Sequence, residues 1–270
     1  MDLNPQAKQM ADESMVRGLH AQAAAIWPQE VALFGRYRIP ADAAILDAGC
    51  GTGEGSSRLA TLYPQARVLG VDIIDAHLAL ARERYQSFGP RLRFERQSVF
   101  GLELPSASFD LVVCRHVIHS IPQPDTVLTE LVRVARSGGF LHVIAEDYGM
   151  LHFQKGAIDL REFWCMAPAS FAAATNTDLF VGRNTFAMFA ALGLKDIAID
   201  YVVVDPLRVP RDVMASIFEA WRDGYVESIG QLTSYSSQSA RAAFDQMIAT
   251  VKDPNGYAVW FVPVISGQVT

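Results

Sequence analysis

Two aspartates and three closely spaced glycines are the residues whose types and spacing most directly imply chemistry: Asp47, Gly49, Gly51 and Gly53, then Asp72 nineteen positions past the last glycine. They sit in the run Ile45-Leu46-Asp47-Ala48-Gly49-Cys50-Gly51-Thr52-Gly53. The apolar stretch from Ala43 to Leu46 predicts a buried strand closed by an acid. Alternate glycines then let the backbone turn sharply and approach a ligand with no Cβ in the way. Glu54 to Leu62 predicts a helix whose free N–H groups point back at the same place. Such a loop suits a nucleotide-like molecule.

The charge pattern narrows that ligand. A dinucleotide fingerprint, G-x-G-x-x-G, needs its third glycine at position 54, which is Glu54. Asp47 at the strand end would also repel a phosphate at close range. A ligand with an ammonium or sulfonium in place of phosphate makes both features favourable, and S-adenosylmethionine fits that description. The segment Asp47-Ala48-Gly49-Cys50-Gly51-Thr52-Gly53 resembles the first motif of class I S-adenosylmethionine-dependent methyltransferases, and Arg67-Val68-Leu69-Gly70-Val71-Asp72 resembles their second strand.

The resemblance implies a role for each matching residue. Gly49, Gly51 and Gly53, with Thr52 between them, allow close approach to the cofactor. Asp47 receives the methionine ammonium, directly or through the loop, and Asp72 the ribose hydroxyls. Ile73 and Val99 cover the adenine faces. Ser98 meets the adenine edge, where related enzymes often carry an acid or amide. Arg115 lies near the methionine portion, its competing reading being a surface arginine paired with an acid. The run Cys114-Arg115-His116-Val117-Ile118-His119 is similar to the branch containing ubiquinone and menaquinone methyltransferases. The resemblance covers residues 41 to 204; residues 205 to 253 carry none.

Methyl transfer from a sulfonium is an in-line displacement, so positioning supplies much of the rate, about 7 to 11 kcal/mol. A base is needed only if the acceptor loses a proton as it attacks. Candidates cluster past the ends of the predicted fourth and fifth strands: His116, His119, Glu146, Asp147, Tyr148 and His152. His119 is the leading base because neutral imidazole accepts a proton near neutral pH, with Glu146 as a second catalytic candidate. Packing, capping or substrate orientation are the competing roles for these groups. The aromatic residues Phe153, Phe163, Trp164, Phe171, Trp221 and Tyr225 either line an apolar acceptor pocket or form core.

Strands and helices alternate around these residues, which argues for a parallel sheet covered on both faces. The resemblance implies an α/β, Rossmann-like, seven-stranded and mostly parallel sheet in the order 3-2-1-4-5-7-6. The expected organisation is a single domain over residues 1–270. N-terminal helices reach residue 40, with a break at Pro28. A cofactor-binding core spans 41–149, and helical, lid-like insertions span 150–183 and 205–253. The remaining core elements lie at 184–204 and 254–270. Asp75 is the expected N-cap of the helix after the second strand, and His119 is expected in a helical segment.

With 270 residues, half of them hydrophobic, the chain can bury a sizeable core. The net charge of −6 and 23 thinly spread basic residues argue against nucleic acid as a partner. The three cysteines, Cys50, Cys114 and Cys165, have no spacing for zinc or a disulfide framework, and no metal site is expected. The N-terminus, Met1 to Met10, is polar and no apolar run is long enough to span a membrane, so a cytoplasmic protein is expected. The implied function is S-adenosylmethionine-dependent methyl transfer to a small, hydrophobic or aromatic metabolite, in a chain that can form a homodimer. A protein that binds S-adenosylmethionine or S-adenosylhomocysteine without transferring methyl groups is the main alternative. A nicotinamide-dependent oxidoreductase is the other, disfavoured by Asp47 and Glu54.

Overall fold

A computed structural model describes residues 4–270. Its centre is β1 (Ala44–Ala48), in which residues 45 to 48 are all buried, as expected of a parallel strand covered on both faces. β1 pairs in parallel with β2 (Arg67–Asp72) and β4 (Phe109–Arg115). Outside these, β3 (Leu92–Arg96) pairs with β2 and β5 (Ala135–Ile144) with β4. Alternation assigns side chains to the two faces. Ile45, Leu111 and Val113 pack with Leu59 of α3 (Glu54–Leu62) and Leu78 of α4 (Asp75–Arg84). Leu46, Val112 and Cys114 pack with Leu128 and Leu131 of α5 (Pro124–Val134) and Phe189 of α7 (Thr185–Ala191).

The far half of the sheet depends on β8 (Ala258–Gln268), which runs antiparallel against β5 and against β7 (Lys195–Val204). A short additional strand, β6 (Leu151–Phe153), also pairs with β8; Trp260 meets Leu151 on one side and Val204 on the other. The expected seven-strand order is therefore present with one extra strand, giving eight. The 150–183 insertion is correspondingly not helical throughout: it opens with β6 before α6 (Leu160–Thr175). The second insertion forms α8 (Arg211–Leu232) and α9 (Ser237–Lys252). These helices enclose an aromatic core of their own with α2 (Glu13–Glu30).

Three local expectations are corrected. Pro28 does not break the first long helix: α2 runs through it to Glu30. The last turn is held from outside, because the Gln29 amide bonds both the N–H and the C=O of Val203, offsetting the donor that proline removes. Asp75 is not the N-cap of α4; Ile74 occupies that position, and Asp75 lies in the first turn, 3.3 Å from Arg96. Residues 116 to 122 form turns rather than a helix, and His116 adopts a left-handed φ of 61°. A short N-terminal helix, α1 (Ala7–Met10), precedes α2, and the expected segment Met1 to Leu3 lies outside the described residues. Among the described residues no helix is long and apolar enough to cross a membrane.

Candidate active site

The carboxyl ends of β1 and β2 lie level because Ala48 pairs with Val71. The loop after β1 is tied down there: Gly49 and Cys50 N–H both donate to Val71 O, at 2.8 and 2.9 Å. Gly51 N–H donates to Asp72 Oδ2 at 2.8 Å and Ile74 N–H to Oδ1 at 2.9 Å. Each carboxylate oxygen keeps acceptor capacity. Asp72 thus faces a cleft of about 140 Å³ whose walls include Gly49, Gly51, Ile73, Ser98, Val99 and Arg115. Gly53 is not on that wall. Its φ is 82°, and a Cβ there would come 2.8 Å from the Phe94 ring, so its smallness serves the packing of the loop on β3.

A second hollow of about 40 Å³ opens beside the first and shares Leu19, Gly49, Gly51, Arg115 and His116 with it. Asp47 and Thr52 lie on its wall. Asp47 accepts from Ser56 Oγ at 2.6 Å. Burial pushes its pKa up to about 6, against the lowering effects of Ser56 and Arg115. Thr52 Oγ1 is buried with no partner among the described residues. Arg115 is paired with an acid, but in the interior: its guanidinium meets Glu30 Oε2 at 2.8 Å. The other Glu30 oxygen accepts from His142 Nε2 at 3.1 Å, and the Tyr37 hydroxyl meets His142 Nδ1 at 2.7 Å. Burial alone would raise the Glu30 carboxyl; Arg115 and His142 overcome it and hold it at about 2.

His116 stands on the wall of both hollows. Its Nδ1 hydrogen-bonds Glu146 Oε1, and its Nε2 is buried without a partner among the described residues. His119 is set behind it, with Nδ1 2.6 Å from Glu146 Oε2, off the line of a good hydrogen bond. Burial would raise Glu146, but the two imidazoles beside it hold it well below the usual carboxylate range. Asp147 faces elsewhere: it binds Arg183 through both oxygens at 2.6 Å and accepts from Gly149 N–H. His152, on β6, is exposed and meets the Phe261 ring.

Beyond His119 lies an aromatic cavity of about 60 Å³. The Tyr148 ring meets His119 edge-on at 5.8 Å and stacks on Trp164 at 5.4 Å. Phe163, Phe171, Trp221 and Tyr225 also line it while packing in the core, whereas Phe153 packs against Phe218 instead. Burial first, and then the nearby Glu146 charge, push the Tyr148 and Tyr225 hydroxyls well above their usual range. The N-terminal segment joins the two sites. Met10 is on the cleft wall and its carbonyl accepts from His77 Nε2 at 2.8 Å, while Gln6 is on the cavity wall and accepts from Tyr225 at 2.8 Å. His77, also on the cleft wall, was not foreseen; nothing in its sequence position marks it.

Residues 45–139 match the family described as a methyltransferase domain. This segment is similar to methyltransferase domains. It holds Asp47, the glycine loop, Asp72, Ser98, Val99, Arg115, His116 and His119, while Glu146 and the lining of the aromatic cavity other than Gln6 lie past its matched end. The chain is 40% identical over 101 residues to trans-aconitate 2-methyltransferase of Deinococcus radiodurans, covering 37% of each chain. It is 34% identical over 96 residues to a fatty-acid O-methyltransferase of Mycolicibacterium smegmatis, covering 36% of this chain and 34% of the relative. The chain spans between 24% and 43% of the length of the first curated relatives it matches. The fold extends further than the sequence likeness. A Haemonchus contortus phosphoethanolamine N-methyltransferase 2, solved with S-adenosyl-L-methionine, superposes with a TM-score of 0.59 at 17% identity, over 97% of this chain and 59% of that one. Residues 45–139 and their surroundings thus form one Rossmann-like α/β fold.

Proposed function

We propose that the chain is an S-adenosylmethionine-dependent methyltransferase acting on a small, hydrophobic or aromatic molecule. The observation that carries the reading is the pair of buried strand-end carboxylates, Asp47 and Asp72, on adjoining hollows shaped by one glycine loop. The polar groups fit the cofactor. Asp72 keeps lone pairs for two ribose hydroxyls, and Asp47 together with the unpartnered Thr52 hydroxyl suits an amino-acid end. Ile73 and Val99 supply apolar cover for the base, with Ser98 at its edge. Arg115, already neutralised by Glu30, orients this end without adding a net charge that would repel a sulfonium. When bound, the cofactor supplies an electrophilic methyl group on a positive sulfur. The protein's own work is to hold that group and the acceptor in line, and to exclude water.

The acceptor reading rests on the aromatic cavity, whose lining contains no charged side chain. That lining also supports a finer placement beside the ubiquinone and menaquinone methyltransferases, whose acceptors are apolar rings. Three free cysteines, two of them buried, favour a reducing compartment such as the cytoplasm. Calorimetric titration of the full chain with S-adenosylhomocysteine and with NADH tests the cofactor. Binding of the first alone is expected; tight NADH binding with no response to S-adenosylhomocysteine would overturn the reading.

A further inference from the structure

We propose that Glu30, at the end of α2, sets the charge at the amino-acid end of the site and so makes it favour the sulfonium form of the cofactor over the neutral, demethylated product. The proposal rests on the methyltransferase reading and adds a specificity determinant. Glu30 lies outside the family-matched segment, as do its supports Tyr37 and His142.

Three charged groups meet where the two hollows adjoin. Arg115 is the sole Lys or Arg on the walls of both hollows among the described residues. Its Nη2 donates to Glu30 Oε2, and its Nη1 lies against Gly55. A Cβ at Gly55 would come 2.8 Å from that nitrogen and 3.1 Å from Asp47 Oδ2, so the missing side chain leaves room for the guanidinium beside Asp47. Arg115 thus sits between two carboxylates. Its Nε is buried with no partner among the described residues, a donor that a ligand carboxylate would satisfy.

Glu30 changes the sum of these charges. Without it, Arg115 would cancel Asp47. With Glu30 paired to Arg115, the negative charge of Asp47 stays uncompensated. A cation in the cleft is then attracted, whereas a neutral thioether gains nothing from that field. S-adenosylmethionine and S-adenosylhomocysteine differ only by a methyl group and its positive charge, so the field of Glu30 acts on the difference between them.

Glu30 keeps its charge because its burial is matched by partners. It is 0% exposed, and Arg115 and His142 overcome burial to hold its carboxyl at about 2. His142, also fully buried, is fixed in turn by the Tyr37 hydroxyl at 2.7 Å and by the Phe34 ring stacked on it at 4.4 Å. A carboxylate held this way acts with little screening by salt.

The test is calorimetry on the full chain at about pH 8, where the Asp47 carboxyl, raised to about 6, is ionised. The readout is the ratio of the affinity for S-adenosylmethionine to that for S-adenosylhomocysteine. Glu30→Gln is expected to lower the ratio roughly fivefold or more, because one negative charge leaves a site with an effective dielectric of about 20. Arg115→Gln removes the opposite charge and is expected to raise the ratio about twofold or more, which decides the matter alone if Glu30→Gln does not fold. The double variant changes no net charge and should return the ratio to within about twofold of wild type, even as both ligands bind more weakly. A merely structural role for Glu30 would not produce that return. The proposal is overturned if the ratio keeps its wild-type value in either single variant, or if the double variant keeps the shift of Glu30→Gln. Wild-type protein that binds neither ligand removes the methyltransferase reading and the proposal with it. Wild-type protein that binds both, with a ratio that no variant moves, removes the proposal and leaves that reading standing.

Discussion

Replacing Asp47 with asparagine should make the ligand-free protein more stable at neutral pH while weakening its hold on the cofactor. Asp47 is 2% exposed, and its carboxyl is raised from 3.8 to about 6 by burial. The folded state therefore binds this proton more tightly than the unfolded chain. Stability falls as pH rises through the interval between those two values and stays lower above it. About two pKa units correspond to about 3 kcal/mol of penalty at pH 7. Asparagine can keep the Ser56 hydrogen bond, and after the cost of burying its amide a net gain of about 1 to 2 kcal/mol is expected. Urea unfolding near neutral pH should show this gain, and the gap should shrink as pH is lowered to about 4, where the wild-type carboxyl is protonated in the folded state. The same titration acts on binding: between about pH 7 and pH 5, wild-type affinity for S-adenosylhomocysteine should fall roughly tenfold, and the variant should lose that dependence. A less stable variant at neutral pH, or a stability gap independent of pH, would refute the reasoning.

Three further outcomes are expected. Glu30→Gln leaves the Arg115 guanidinium buried without its counter-charge and should cost about 3 to 5 kcal/mol in urea unfolding. Because the folded Glu30 carboxyl lies near 2, below its ordinary 4.5, its stabilisation is complete above the ordinary value and is lost as pH falls toward 2; the gap between wild type and variant should therefore close toward pH 2, and a gap independent of pH would contradict the pairing. Asp72→Ala should lower S-adenosylhomocysteine affinity by about 10- to 100-fold in calorimetry, and unchanged affinity would remove the ribose role. Gly53→Ala should cost about 2 kcal/mol or more, from its left-handed φ and the Phe94 ring, measured as a lower urea midpoint. Its cofactor affinity should stay near wild type, since Gly53 is off the cleft wall; a selective loss of affinity would show that the residue does contact ligand.

What the sequence made legible is what is decided locally. Ala43 to Asp47 had to be a strand by its apolar run, the glycines had to turn, and the alternation from Lys195 to Val204 marked β7 to both ends. The Glu30–Arg115 pair gave no such signal, because it joins residues 85 apart and depends on α2 crossing the sheet. Pro28 looked like a break because the bonds from Gln29 to Val203 that hold the helix come from a strand 174 residues away. β6 was hidden in an aromatic-rich insertion, since three residues form a strand only when β8 is there to pair with them. His119 drew attention over His116 because neighbouring Arg115 would disfavour a charged His116, a repulsion that the distant Glu30 offsets. The left-handed turn at His116 instead puts that residue on the cleft wall and His119 behind it.

β8 has a further consequence, for the order in which the molecule can be assembled. Its residues 258–268 complete the pairing of β5, β6 and β7, all of which emerge from the ribosome earlier. Until those last residues arrive, β5 presents an open strand edge and β7 has no sheet to join, a state that invites pairing between chains. The polar residues along β7, Lys195, Asp196 and Asp200, disfavour pairing of that strand with other chains until β8 arrives. Trp221 of α8 packs on Trp260 of β8, so the aromatic core of the insertions is incomplete until β8 is in place.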